Sequence, residues 1–488
     1  MKKLCELLVG FECTTINCDL DIEIFGLSHD SRSVKDGYAF FALPGENQDG
    51  RDFAFHAMMR GARVIITEQQ IDKGYPQVLT KCARTAMSLM AKAFYNNACD
   101  NLKVVGITGT NGKTTTTHIL THILRMGGVN TASIGTLGIG VDYETSKRLD
   151  PSIFEMSCLT TPDPIELHRL FYDLHSIGIK AIVMEASAHA IHLKKLVGIT
   201  FDVGIFTNLS IDHLDFFQCY RKYADTKINW FQNETMKRAI INIDDIEGKK
   251  IQANHDDVIA YSLKDVHIEL SSKGSRFTMK NKTFDFPLAG AFNVYNALAA
   301  IKSARLFGIR YEKIIDSLKN LPPVPGRFNT IDVNGVTVVI DYAHTPDGLE
   351  KIITSCREIV SGKGRLITVF GCGGNRDATK RPLMGSASAK LADFTIITSD
   401  NPRDENPRVI MLQIEAGVKL YTTSYCLVES RRQAIAHALK MAKPGDVVIV
   451  AGKGAENYQE IKGKKIPYND HGVINNLMDK RQKSTKTK

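Results

Sequence analysis

One short segment limits the fold of this chain more than any other: Gly109-Thr110-Asn111-Gly112-Lys113-Thr114-Thr115. Before it runs Val104-Val105-Gly106-Ile107, short and rich in β-branched residues, and after it Thr115–Arg125 reads as a helix. Strand, glycine turn and helix in that order open a parallel α/β fold. The glycines let backbone N–H groups approach phosphate oxygens. The helix N-terminus adds its dipole, Lys113 adds charge, and the Thr114 hydroxyl can ligate Mg²⁺. The strict GxxxxGK[ST] spacing is not met, because Ile107 stands where the first glycine belongs and Gly106 comes one residue early. The segment is a variant phosphate loop. It implies mononucleotide binding and names no reaction.

Around this loop the chain divides into three regimes. Residues 1–100 carry the strand-like runs Tyr38–Leu43 and Arg63–Thr67 with helical stretches between and after them. Residues 101–324 continue from the loop through the apolar runs Lys180–Met184, Val203–Phe206 and Ala239–Ile243. Each ends in polar residues, as in a sheet whose strand C-termini line a site. The proline-rich stretch Leu321-Pro322-Pro323-Val324-Pro325-Gly326 reads as a hinge. Beyond it, residues 325–479 hold Val336–Ile340, Leu366–Phe370, Phe394–Thr398 and Val447–Val450, a second α/β sheet. Residues 480–488 are polar and basic, and a disordered tail is expected there. The fold class is therefore α/β in three domains: a small N-terminal domain, a central P-loop-type parallel-sheet domain and a C-terminal Rossmann-like domain.

At 488 residues the chain is long enough for several cores, and its 43% hydrophobic and 24% charged residues exclude a membrane-spanning, collagen-like or wholly disordered chain. Glu6 and Glu12 interrupt the N-terminal apolar stretch, so it lacks the core of a signal peptide. The ten cysteines show no CxxC pair and no zinc spacing. Reduced thiols and a cytosolic protein are expected. The net charge of +9 leaves nucleic acid, an anionic surface or a small anionic substrate as partners. Five of those charges lie in residues 480–488, and nine less five leaves +4 for the body. A basic P-loop protein that binds nucleic acid would need a basic stripe on a domain face, and the sequence has no basic run outside the tail. Neither nucleic acid nor a membrane is expected as a partner, and a monomer is.

Glu185-Ala186-Ser187-Ala188-His189 ends one strand, and Asn208 to Asp215, with His213, ends the next. A carboxylate and an imidazole at adjacent strand ends could complete a magnesium site with Thr114 and nucleotide phosphates. Taken singly, such a Glu caps helices and such a His is an ordinary hydrogen-bonded residue. Together with Tyr223 and Lys227, Asn242 with Asp244-Asp245, Gly290 with Phe292 to Ala297, Pro325-Gly326-Arg327, and Asp341-Tyr342-Ala343-His344-Thr345-Pro346, they occur in the order and spacing of one family. The chain resembles the Mur ligases over nearly its whole length. These enzymes build the peptide stem of bacterial peptidoglycan.

The resemblance implies the following. ATP would be bound by Gly109, Thr110, Asn111, Gly112, Lys113, Thr114 and Thr115, with Asn293, Arg327 and Asp341 as contacts to adenine, phosphate and ribose. Mg²⁺ would be held by Thr114, Glu185, His213 and Lys227, with Lys227 N-carboxylated by CO₂. Lys113, Lys227, His213 and Glu185 would be catalytic. The segments His29 to Arg32, Phe41 to Gly45 and Asp49 to Phe53 resemble a uridine-nucleotide domain. Ser31, Glu46, Asn47, Gln48, Thr160, Thr161, Ser187 and Lys195 would contact UDP-N-acetylmuramoyl-L-alanyl-D-glutamate. Phe370 to Asp377, Lys380-Arg381-Pro382 and Asp400-Asn401-Pro402-Arg403 resemble the diaminopimelate-adding branch, and Gly452, Lys453, Gly454 and Glu456 resemble its last substrate loop. Arg376, Asp400, Asn401, Pro402, Arg403, Gly452 and Glu456 would then receive meso-diaminopimelate. An Arg fork suits that substrate's extra carboxylate, which lysine lacks. The chain departs from the usual family pattern at Leu159, Ala188, Leu193, Lys195, Asn375 and Ala455.

The implied reaction is ATP-dependent amide formation through an acyl phosphate, a cytoplasmic step of cell-wall synthesis. A lysine-adding relative, a MurF-type ligase and folylpolyglutamate synthase, which shares the phosphate-loop core, remain as alternatives.

Overall fold

The computed structural model describes residues 1–45, 48–71, 74–155, 159–271, 274–360 and 364–486. Glu46 and Asn47, two of the expected nucleotide-sugar contacts, lie outside the described residues.

Three α/β layers follow one another along the chain. The first sheet has the order Cys13–Ile16, Gln77–Thr80, Ala62–Thr67, Tyr38–Phe41, Gly26–Ser28, parallel except for the antiparallel pair at its first edge. The second has seven strands: Gly138–Gly140, Thr131–Gly135, Ala181–Glu185, Lys103–Thr108, Val203–Phe206, Ala239–Asn242 and Val258–Tyr261. Only the first of these runs antiparallel to its neighbour. The third has six: Asn329–Val333, Val336–Asp341, Val447–Ala451, Leu366–Phe370, Phe394–Ile397 and Tyr425–Leu427, again parallel after one antiparallel edge pair.

The inner strands are continuous apolar runs because helices cover both faces of a parallel sheet. Val104, Ile182, Met184, Phe201, Phe206 and Trp230 form the core on one face of the central sheet. Val105, Ile107, Val183 and Ile205 pack on the other face, against the loop helix residues Ile119, Leu120, Ile123 and Leu124. Strand Lys103–Thr108 lies mid-sheet, where chain order turns from one side to the other. Crevices open at the carboxyl ends of strands at such a switch point, and the phosphate loop follows this strand directly.

Two features depart from the sequence expectation. Residues 267–286 form a three-stranded antiparallel sheet, His267–Ser271, Gly274–Met279 and Lys282–Phe286, which the apolar runs did not announce. Its second turn holds Lys280 and Asn281 at positive φ, the conformation of a tight hairpin, and Phe277 and Phe284 stack across the pair with centroids 5.0 Å apart. Short alternating strands of this kind carry few apolar residues each. The second departure corrects the tail: residues 480–486 are helical, continuing the final helix Asp470–Lys486. Val473 and Ile474 anchor its first turns in the core, with Leu477 and Met478 packed beside them. Lysine, arginine and glutamine propagate a helix once packing has nucleated it.

Gly106, in the strand before the phosphate loop, has no room for a methyl group: a Cβ there would sit 2.7 Å from Phe201 and from Trp230. Gly106→Ala should destabilise this core by about 1–3 kcal/mol through overpacking. Trp230 is the single tryptophan of the chain, so its fluorescence during urea unfolding reports the shifted midpoint directly.

Candidate active site

The phosphate loop is braced from the neighbouring strand end. Asn208 O accepts from Thr110 N at 2.8 Å, and Asn208 Oδ1 accepts from Asn111 N at 3.0 Å. Thr207 Oγ1 and Asn208 Nδ2 both donate to Asn111 O, at 2.6 and 3.1 Å. Gly112 has φ +87°, and a Cβ there would collide with Asn296 Oδ1, so the turn into helix Lys113–Met126 requires glycine. The first N–H groups of that helix have no intrahelical partner, which leaves them for an anion. Lys113 Nζ folds back on the loop, donating to Gly109 O at 2.8 Å and Thr110 O at 2.9 Å. Burial pushes its pKa down, and the nearby Glu185 and Asp212 partly oppose that shift.

Glu185 ends strand Ala181–Glu185 and is buried. Its Oε1 accepts from Thr136 N at 2.9 Å and its Oε2 from Thr136 Oγ1 at 3.2 Å. Thr136 Oγ1 is 3.2 Å from Thr160 Oγ1. Thr161 Oγ1 donates to Glu185 O at 2.8 Å and accepts from Ser187 N at 3.1 Å. Glu185, Thr160, Thr161 and Ser187 are thus one cluster. Lys195 Nζ lies 2.8 Å from Asp163 Oδ1, whose other oxygen is 4.0 Å from His29 Nε2. These contacts tie the first domain to the second. Ser31 is buried at the start of the short turn Ser31–Ser33, and Gln48 is exposed.

His213 has φ +57°, an unusual backbone that carries its ring toward Asp212, with Nε2 3.4 Å from Asp212 Oδ2. Burial lowers the His213 pKa to about 3, so the ring is neutral at physiological pH and able to accept a metal. Lys227 is 1% exposed. Its Nζ donates to Tyr223 Oη at 2.7 Å, and Tyr223 Oη is 3.0 Å from Thr110 Oγ1, which links the lysine to the phosphate loop. Burial drives the Lys227 pKa well below the usual lysine value, and the Lys113 charge drives it further.

The C-terminal domain meets this site at several points. Arg327 Nη2 donates to Thr114 Oγ1 at 3.2 Å while its guanidinium lies 4.2 Å from the Tyr342 ring. Asp341 accepts from the backbone N–H groups of Phe328 and Ala343, at 2.8 and 2.7 Å. Asn111 Nδ2 donates to Asp347 Oδ2 at 2.8 Å. Asp212 is 3.5 Å from Lys380 Nζ and 3.8 Å from His344 Nε2. Burial works against charge on Asp212, and His213, Lys380 and His344 hold its carboxyl below the usual range. Asn293 sits beneath the loop, its Nδ2 donating to Ala289 O and its Oδ1 accepting from Asn296.

A second cluster stands at the strand ends of the third sheet. Asn401 Nδ2 donates to Glu456 Oε2 at 2.9 Å, and the fully buried Lys453 Nζ donates to Asn401 Oδ1 at 2.9 Å and Glu456 Oε2 at 2.7 Å. Arg403, at φ +50°, donates from Nε to Glu460 Oε2 at 3.0 Å and from Nη1 to Gly374 O at 2.7 Å. Its fork is therefore partly engaged within the protein, against the open fork expected from sequence. Arg376 is exposed and donates to Asn375 O at 3.1 Å. Arg381 is buried and pairs with both oxygens of Glu405, each at 2.8 Å, bracing the loop that carries Asn375. Sequence reasoning did not single out Asp212, Asp347, Glu405 or Glu460. Asp212 lay inside a motif already quoted and Asp347 directly follows one, but their partners come from another domain.

Comparison with known proteins covers the whole chain. Residues 23–106 match the Mur ligase family catalytic domain, 107–304 the Mur ligase middle domain and 326–454 the Mur ligase glutamate ligase domain. A UDP-N-acetylmuramoyl-L-alanyl-D-glutamate--2,6-diaminopimelate ligase of Clostridium acetobutylicum is 40% identical, covering 98% of this chain and 99% of its own. The Aquifex aeolicus ligase of that name is also 40% identical, with 93% of each chain covered. A solved structure of a ligase of that name superposes with a TM-score of 0.67 at 30% identity, covering 99% of each chain. Thermotoga maritima MurF in complex with ADP shares the fold, with a TM-score of 0.59 at 20% identity over 88% of this chain and 94% of that one. With three consecutive domain matches and near-complete alignment to these ligases, the chain belongs to the Mur ligase family.

Proposed function

We propose that this chain joins meso-diaminopimelate to UDP-N-acetylmuramoyl-L-alanyl-D-glutamate at the expense of ATP, making the nucleotide-linked tripeptide of peptidoglycan. The observation that carries this reading is the facing of two strand-end clusters. The phosphate loop and Glu185 lie on one side, the Asp400–Arg403 turn lies on the other, and Arg327 and Lys380 span between the domains. The diaminopimelate ligases to which the chain is similar in its full length support it. The units assigned are 1–100 for the nucleotide sugar, 101–324 for ATP and 325–479 for the amino acid.

In the first step the γ-carboxylate of D-glutamate attacks the γ-phosphoryl group of ATP, giving an acyl phosphate and ADP. The amine of diaminopimelate then attacks the acyl carbon, and phosphate leaves. Two anions meet in the first step, so cationic groups at the phosphoryl transfer govern the rate. Lys113 supplies one and Arg327 another. Asp341 and Asn293 are assigned to the nucleoside, with Asn293 acting from beneath the loop. Thr160, Thr161, Ser187, Lys195, Ser31 and Gln48 are assigned to the nucleotide sugar. Arg403, Asn401, Glu456 and Arg376 are assigned to diaminopimelate, with Arg403 sharing its fork between Glu460 and the substrate carboxylate.

The donor set suits Mg²⁺. Thr114 and Glu185 offer hard oxygens and His213 is neutral. Among the described residues no three His, Cys, Asp or Glu side chains are grouped as a metal cage. Bound there, Mg²⁺ would neutralise phosphate charge. Lys227 fits carboxylation: burial lowers its pKa and so favours the unprotonated amine, which can bond to the carbon of CO₂ with loss of a proton and become an oxygen ligand.

Phosphate release in the presence of UDP-N-acetylmuramoyl-L-alanyl-D-glutamate should be at least about tenfold faster with meso-diaminopimelate than with L-lysine, because the Arg403 fork has nothing to bind on lysine. Equal or faster lysine turnover would overturn the amino-acid assignment. Lys113→Ala should lower kcat by at least about a hundredfold in the same assay. ¹³C-bicarbonate should give a carbamate NMR signal that is absent in Lys227→Ala. Burial lowers the Lys227 pKa, so the signal should survive to a lower pH than a carbamate on an exposed lysine would. Its absence at pH 7 in the wild-type protein would remove the carbamate.

A further inference from the structure

Behind the amino-acid cluster lies an ion network that the reaction above does not use. Arg431 opens helix Arg431–Met441 and Asp470 opens the final helix, and both side chains are fully buried. Arg431 Nε donates to Asp470 Oδ1 at 2.9 Å, and Nη2 donates to Asp470 Oδ2 at 2.7 Å. Nη2 also donates to Ala451 O at 2.9 Å. Tyr468 Oη donates to Asp470 Oδ1 at 2.9 Å. One arm of the guanidinium is left over. Nη1 is buried and has no hydrogen-bond partner among the described residues. It faces Asp400 Oδ2 across 3.9 Å, and that oxygen is likewise buried without a hydrogen bond.

Leaving two buried charged atoms without hydrogen bonds is costly, and a bidentate pair with Asp470 would by itself satisfy a purely structural role. The surrounding geometry gives the leftover arm a purpose. Asp400 Oδ1 accepts from Asn401 N at 2.7 Å, and the buried Oδ2 is turned inward, toward Arg431 Nη1. Gly452, at φ +112°, closes on that same oxygen, where a Cβ would come within 2.6 Å. The carbonyl that Arg431 grips belongs to Ala451, the residue before this glycine. One guanidinium therefore governs both the direction of the Asp400 carboxylate and the seat of the Gly452 turn.

We propose that Arg431 is a positioning residue for the amino-acid subsite: anchored by Asp470, it fixes Asp400 and the Ala451-Gly452 turn in the wall that receives the incoming amino acid. This rests on the diaminopimelate reading above. It also gives the final helix a role in substrate selection, because Asp470 is its first residue.

Two variants test it, assayed by phosphate release with each substrate varied in turn. Arg431→Lys keeps a cation beside Asp470 and loses the arm toward Asp400. The double variant Arg431→Met with Asp470→Leu removes both charges of the pair, which avoids stranding one of them. Both should raise KM for meso-diaminopimelate by at least about tenfold while leaving KM for ATP and for the nucleotide sugar unchanged. Thermal unfolding of Arg431→Lys should remain a single cooperative transition at a lowered midpoint, because lysine keeps the charge beside Asp470 but not the bidentate bonds. An unchanged KM for diaminopimelate in Arg431→Lys overturns the proposal, and so does an equal rise in all three KM values, which would mark general loosening. If the double variant does not fold, Arg431→Lys alone decides. Absence of diaminopimelate-dependent turnover in the wild-type enzyme would instead overturn the ligase assignment, before any variant is compared.

Discussion

Two lysines share one buried site, and the rest of the chemistry depends on how that is tolerated. Burial lowers the Lys113 pKa, while loop carbonyls accept from its ammonium and Glu185 and Asp212 nearby oppose the shift. Lys227 lies in the same desolvated region, where a second positive charge is disfavoured by burial and by the first. Its amine donates to the Tyr223 hydroxyl, and its pKa is well below the usual lysine value. A neutral amine reacts with CO₂, and a carbamate there would exchange repulsion of Lys113 for attraction. The burial that looks unfavourable for a lysine is therefore what would favour its carboxylation. It also changes the charge count: converting Lys227 from +1 to −1 takes the body of the protein from +4 to +2.

The active site is completed by contacts between domains. Asp212 follows a strand of the central sheet, yet Lys380 and His344 reach it from the C-terminal domain. Arg327 follows the proline-rich stretch and reaches Thr114. Asn111 and Asp347 form a third bridge. The phosphate loop and the segment after strand Val203–Phe206 are thus both tied to the C-terminal domain. The buried Arg431–Asp470 pair extends the arrangement backward, from the amino-acid cluster to the last helix of the chain.

Much of this was legible in the sequence. The strands at Val104, Lys180, Val203, Ala239, Val336, Leu366, Phe394 and Val447 stand where their apolar runs place them, because strands buried on both faces must be apolar throughout. The sheet at residues 267–286 was not legible, since alternating strands of five or six residues carry a weak period. Nor was the helix through Lys486, whose composition alone reads as a polar tail and whose nucleus lies earlier, at Val473 and Ile474. Within the site, Glu185 and Thr161 could be named from sequence, but the hydrogen bond that joins them could not. For Arg403 the residue was legible and its partner Glu460 was not, because that carboxylate comes from a hairpin more than fifty residues downstream.

By itself, the sequence determined the α/β class, the phosphate loop and the residue types that could carry charge to a phosphate. Those follow from periodicity, from glycine and from side-chain chemistry, which are local properties of the chain. Only the tertiary structure decided which of these groups are charged and which face one another. Lys227 gives up its proton more readily than a free lysine because it is buried near Lys113. Asp212 serves two domains because they meet over it. Arg431 has an arm aimed at Asp400 because two helix starts converge behind one strand end. Desolvation and distance set these properties, and neither is written in the order of residues.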